Sequence, residues 1–99
     1  MVKWVKKIMK ILCTETYEEE LKDILTSLAK GDLEEAKKFK TYLDTIIINI
    51  PTKANKYKKS VYFYDDNVKD IEYEGYTIVF YYDDLQDNYL ILSILKSNS

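Results

Sequence analysis

Fifteen lysines, ten tyrosines and one cysteine carry most of the nucleophilic and proton-transferring capacity of this chain, which contains neither histidine nor arginine. The commonest general acid/base and the bidentate phosphate-gripping fork are therefore both missing. The densest group of candidate side chains is Lys53, Lys56, Lys58 and Lys59 around Tyr57, with Tyr62 just beyond. Such a run suits contact with phosphate or with a partner, the tyrosine rings offering faces on which a base can stack. It equally suits an ordinary solvated connection, and no RNA-binding motif frames it. Asp65-Asp66 and Asp83-Asp84 are adjacent carboxylates without further ligand spacing, which reads as turn chemistry; no metal and no cofactor are expected. Cys13, among apolar neighbours, reads as a small buried hydrophobe without a chemical role.

The elements that must position these groups follow from capping signals and hydrophobic period. Ile11 to Cys13 has the character of a buried strand core, entered naturally at Met9, which leaves residues 1–8 as a candidate N-terminal extension. Thr16 and Glu19 have capping-box spacing, and Tyr17, Leu21, Ile24, Leu25 and Leu28 then recur at helical intervals. Gly31 is expected to end this helix in a left-handed conformation. Asp32 and Glu35 repeat the capping spacing, and Leu33, Ala36, Phe39, Leu43, Ile46, Ile47 and Ile50 form the stripe of a second, longer helix that Pro51 ends. Residues 52–60 then read as a basic loop.

From Val61 onward the period becomes two. Val61 to Tyr64, Val68 to Tyr73, Tyr76 to Tyr82 and Tyr89 to Leu95 predict three or four strands. Asp65-Asp66-Asn67, Glu74-Gly75 and the run 83–88 supply turns, and such short connections require antiparallel neighbours. The expected fold is α+β: an N-terminal strand, an antiparallel helical hairpin and a three- to four-stranded antiparallel meander. Ninety-nine residues with 46% hydrophobic and 14% aromatic content suit one domain over 1–99, because the helical stripes have only this sheet to pack on.

A lone cysteine fits a reducing compartment, and no apolar run reaches membrane-spanning length; the Lys-rich start lacks the apolar stretch of a signal peptide. The expectation is a soluble, cytoplasmic protein with no membrane partner. The net charge of −2 gives no general attraction to nucleic acid.

The order strand, helical hairpin, basic loop, meander resembles that of the RelE/ParE toxin superfamily over nearly all of residues 9–97. The stretch from Val68 through Glu74-Gly75 to Tyr76-Thr77-Ile78-Val79-Phe80 is similar to that family's strand, Gly-x turn and Tyr-Arg-Ile/Val strand, and Tyr89 to Leu95 to its last strand. The resemblance implies a bacterial toxin of a type II toxin-antitoxin (plasmid-stabilisation) pair, held inactive by a cognate antitoxin whose tail wraps over it. RelE-like members cut messenger RNA on the ribosome; ParE-like members poison DNA gyrase.

Cleavage requires groups that activate a 2′-hydroxyl, stabilise the phosphorane and protonate the leaving oxygen. Thr77 stands where the family often has arginine, and the last strand ends Leu95-Lys96-Ser97 without a terminal His-Tyr or Arg. Lys53, Lys56, Lys58, Lys59, Tyr76 and Lys96 are the candidates left for a nuclease. Residues 65–87 also hold Asp65, Asp66, Asp70, Glu72, Glu74, Asp83, Asp84 and Asp87 against Lys69 alone, an acidic surface that ribosomal RNA would repel. The reading is therefore a ParE-like toxin acting by protein contact, with Tyr57, Tyr62, Asp65, Asp66 and Tyr76 as partner-binding candidates. The alternatives are a ribosome-dependent endonuclease and a non-toxic member kept as an antitoxin-binding partner. A homodimer is open as well, because an exposed helical hairpin can pair with a second copy.

Overall fold

The computed structural model describes residues 4–8 and 11–97, with side chains described for 11–97. The described elements run β1 (Trp4–Ile8), β2 (Ile11–Thr14), α1 (Glu15–Gly31), α2 (Leu33–Ile48), α3 (Ile50–Lys53), a 3-10 turn (Ala54–Lys56), β3 (Lys58–Lys59), β4 (Val68–Tyr73), β5 (Tyr76–Asp83) and β6 (Asn88–Lys96). Met9 and Lys10, where the sequence placed the entry to the first strand, lie outside the described residues. The fold is α+β, with an N-terminal strand, a helical hairpin and then a sheet.

Thr14, not Thr16, starts the first helix. Its Oγ1 accepts from the Tyr17 backbone N–H at 3.1 Å and donates to the Leu92 carbonyl at 2.8 Å, so one hydroxyl ends β2, caps α1 and binds β6. Thr16 and Glu19 lie exposed within α1. Asp32 does cap α2, its Oδ1 accepting from the Glu34 N–H at 2.9 Å. It also closes α1, because its own N–H reaches the Leu28 carbonyl. This double role leaves Gly31 inside α1 with an ordinary backbone, not in the left-handed conformation expected of it. A Cβ at Gly31 would meet nothing within 4 Å. Gly31→Ala should therefore stabilise the fold by about 0.5–1 kcal/mol in urea unfolding, through reduced freedom of the unfolded chain. A left-handed residue would give a loss of similar size instead.

The second helix is not the longer one: α2 has 16 residues and α1 has 17. α2 ends at Ile48, before Pro51, and Pro51 lies in the first turn of α3, where its missing N–H costs nothing. The expected basic loop is thus mostly structured, as α3, the 3-10 turn and β3. Val61 to Tyr64 form no strand. The backbone there turns outward, with the Val61 N–H on the Asp70 carboxylate at 3.0 Å and the Tyr62 N–H on the Ser60 hydroxyl at 3.1 Å.

The sheet has the order β1-β2-β6-β5-β4-β3. The meander β4-β5-β6 is antiparallel as expected, and β4 turns into β5 through Glu74 and Gly75, both at positive φ. The sheet as a whole is mixed, because β2 lies parallel to β6, with Ile11 to Cys13 opposite Tyr89 to Ile91. Parallel neighbours cannot be joined by a tight turn, and here the helical hairpin, α3 and β3–β5 all lie between them in the chain. β1 adds an antiparallel strand outside β2. It turns the segment read as an extension into the sheet edge.

One face of the sheet carries Ile11, Cys13, Ile71, Ile78, Phe80, Ile91 and Ile94, packed with Tyr17, Leu21, Phe39, Leu43, Ile47 and Ile50 of the helical segments. Tyr73 crosses from sheet to helix, its hydroxyl donating to the Phe39 carbonyl at 3.0 Å. Beyond Ile91, where β2 ends, β6 continues beside α1. There the Glu20 carboxylate accepts from the Ile94 N–H at 3.1 Å and the Ser93 hydroxyl at 2.6 Å, taking the place of a neighbouring strand.

Candidate partner-binding surface

The two acidic turns meet at one end of the sheet. The Tyr82 N–H donates to the Asn67 carbonyl at 2.9 Å, which fastens the 60–67 segment beside the β5–β6 turn. Asp65 Oδ1 accepts from the Asn67 N–H at 2.8 Å, and Asp83 Oδ1 accepts from the Leu85 and Gln86 N–H groups at 3.1 and 3.3 Å. These carboxylates shape their own turns, as the sequence suggested. Asp66 pairs with Lys59 at 3.1 Å, a contact exposed on both sides and so of little energetic weight. Among the described residues no group of three or more His, Cys, Asp or Glu side chains is arranged to hold a metal ion.

The same two segments carry exposed apolar side chains. Tyr64 and Leu85 are fully exposed, Val61 is 85% exposed and Phe63 46%. Behind them Tyr81 and Tyr82 are half-buried. Partial burial, followed by the negative charges of Asp83, Asp65 and Asp84, holds the Tyr81 hydroxyl above the usual tyrosine range. A hydrogen bond to Asp87 at 2.9 Å, then burial, does the same for Tyr82. Both therefore remain neutral donors at physiological pH. The result is an aromatic surface set among carboxylates.

Next to it is a cleft of about 310 Å³ lined by Ala54, Asn55, Asp66, Asn67, Lys69, Phe80, Tyr82 and Tyr89. Its aromatic wall is continuous: Phe80 is 6.2 Å from Tyr89 and Tyr89 is 4.8 Å from Tyr82, while Tyr57 stands edge-on to Phe80 at 5.9 Å from outside the lining. Lys69 does not point its charge freely into this cleft, because its Nζ donates to the Ala54 carbonyl at 2.9 Å.

The sequence matches no protein-family model and no curated protein. What the chain does must be read from how the candidates are placed. Tyr57, Asp65 and Asp66 belong to this one end, and Tyr62 lies on the same 60–67 segment, half-buried. Tyr76 does not join them. It sits at the opposite end of β5, its ring edge-on to Phe39 at 5.6 Å, above a hollow of about 240 Å³ that also takes in Glu35, Lys38 and Glu74.

The nuclease candidates are likewise divided. Lys96 is paired in register with Tyr76, and it is exposed. Lys53 ends α3, Lys56 ends the 3-10 turn, and Lys58 and Lys59 form β3 on the far edge. Lys58 lies opposite Asp70, which lies opposite Val79, three residues along β5 from Tyr76. Strand spacing and rise then put the Lys58 and Tyr76 Cα atoms about 14 Å apart. Paired residues share a face and faces alternate along a strand, so Lys58 stands with Val79 on the face opposite to that of Tyr76 and the two do not converge on one phosphate. Thr77 is buried, bonded to the Glu72 carboxylate at 3.0 Å and the Ser97 hydroxyl at 2.8 Å. That site is closed by a structural network.

Val61, Phe63, Tyr64 and Leu85 are the surface residues that sequence reasoning missed. Val61 to Tyr64 read as strand because four β-favouring residues stood together. The available warning was the short run itself, with lysines before it and three turn-forming residues directly after.

Proposed function

We propose that this chain is the toxin of a type II toxin-antitoxin pair, ParE-like in acting by protein contact in the bacterial cytoplasm. A cognate antitoxin would neutralise it, and DNA gyrase is the target that the family resemblance suggests. The observation that supports binding over cleavage is the scatter of the candidate nuclease side chains: Tyr76 and Lys96 pair on β5 and β6, whereas Lys53, Lys56, Lys58 and Lys59 lie on α3, the 3-10 turn and the β3 edge. General acid/base work on one phosphodiester needs its groups within hydrogen-bond reach of the same reacting atoms. The order strand, helical hairpin, meander supports the family, and the uncovered aromatic residues at the acidic end supply a surface for a protein partner.

Among the described residues no helix is long and apolar enough to cross a membrane, which is compatible with this reading. Inducing the gene in bacteria that lack the antitoxin tests it. Growth should arrest, and the variants Tyr76→Phe and Lys96→Ala should arrest it at within about twofold of the wild-type inducer dose. Harmless expression of a folded protein, or loss of toxicity in those two variants, would contradict the proposal.

A further inference from the structure

The hollow beside Tyr76 is bordered by four aromatic rings. It measures about 240 Å³ and lies between α2 and the β4–β5 turn, lined by Phe39, Tyr42, Tyr73 and Tyr76. Phe39 is buried, Tyr73 and Tyr76 are half-buried, and Tyr42 is 62% exposed, so the space opens to solvent. Tyr73 is tilted by 52° to Phe39 at 5.0 Å, and Tyr76 stands at 82° to it at 5.6 Å. Rings so inclined do not stack face to face, and all four border the same open space. Tyr73 is held in place by its hydroxyl bond to the Phe39 carbonyl.

Charged side chains complete the lining. Glu35 and Lys38 share a face of α2 with Tyr42, at intervals of three and four residues, and Glu74 comes from the turn. All three are exposed, and among the described residues none of them is engaged in an ion pair or a side-chain hydrogen bond. Two carboxylates against one ammonium leave the hollow with negative charge. Aromatic faces attract cations as well, so rings and carboxylates favour the same sign of ligand.

We infer that this hollow receives the guanidinium group of an arginine side chain carried by a protein partner. A guanidinium can lie against a ring and donate to a carboxylate at once, and it sheds water more readily than an ammonium. This chain contains no arginine, so a second copy of it cannot be the occupant. The inference does not rest on the toxin reading, because the hollow lies at the other end of β5 from Tyr81 and Tyr82.

NMR titration of the full chain with the peptide acetyl-Ala-Arg-Ala-amide tests it, beside the same peptide carrying lysine or citrulline, an uncharged copy of arginine. The arginine peptide should shift the Tyr42, Tyr73 and Tyr76 amides saturably, with a Kd of about 1–10 mM. The lysine peptide should bind about threefold more weakly and the citrulline peptide about tenfold more weakly. Tyr42→Ala and Glu74→Asn should each weaken the arginine peptide about three- to tenfold. Glu74 has a positive φ in a tight turn that asparagine suits better, so Glu74→Asn should unfold at the same or higher urea concentration. Its weaker binding would then not reflect a damaged fold. No saturable shift up to about 50 mM peptide, well above the expected Kd, would overturn the site. So would equal binding of the citrulline peptide, or unchanged affinity in both variants. A lysine peptide that binds as tightly as arginine would point to a second copy, and shifts confined to Asp65, Asp66, Asp83 and Asp84 to general charge attraction; either would overturn the inference.

Discussion

Replacing Glu20 with alanine is expected to destabilise the protein by about 2–4 kcal/mol, an unusually large effect for a helix carboxylate. The cost arises because the carboxylate substitutes for a missing strand. β2 pairs with β6 only as far as Ile91, and the next edge donor of β6, the Ile94 N–H, is taken by Glu20 together with the Ser93 hydroxyl. Hydrogen bonds to a charged group contribute about 1.5–3 kcal/mol each, and a buried donor left without a partner carries its full desolvation penalty. Glu20→Gln keeps a carbonyl acceptor and should lose about half as much. Urea unfolding measures both, and hydrogen exchange at Ile94 should accelerate in Glu20→Ala before the protein unfolds globally. A loss under about 0.5 kcal/mol in Glu20→Ala would mean that β6 closes against α1 without this carboxylate.

The second large effect concerns the exposed aromatic end. Phe63→Glu, Tyr64→Glu and Leu85→Glu remove apolar surface that touches no core, so each should change stability by no more than about 0.5 kcal/mol. The same changes should lower affinity for the bound protein partner at least tenfold, because apolar anchors at the centre of an interface carry most of its binding energy. Titration calorimetry with the antitoxin or with gyrase would show which partner uses this surface. Unchanged affinity for both would remove it from the binding account. Each replacement also adds negative charge beside Asp65, Asp66, Asp83 and Asp84, so the loss should be smaller for a basic partner segment than for a neutral or acidic one.

The parts of the fold legible in the sequence were those fixed by local chemistry. Apolar spacing marked both helices, Asp32 marked the tight link between them, and Glu74-Gly75 marked the β4–β5 turn. The parallel β2–β6 pairing was not legible, because it joins residues far apart in the chain; the Thr14–Leu92 bond that anchors it spans 78 positions. Gly31 misled for a related reason: Asp32 closes α1 from the extended region, which removes any need for a left-handed residue. Of the candidate site, the turn carboxylates were legible through their spacing. The separation of Tyr76 from Lys58 was not, since only strand order and register put them on different strands and opposite faces.

The proposed inhibition by contact, as against RNA cleavage, is tested most directly by one paired assay. Purified protein is added to a reconstituted translation reaction and, separately, to a gyrase supercoiling reaction, with messenger RNA ends mapped by primer extension and plasmid topology read on a gel. The expected result is loss of supercoiling with messenger RNA left intact. Ribosome-dependent cuts in the messenger RNA, slowed by Tyr76→Phe or Lys96→Ala while gyrase runs normally, would contradict it.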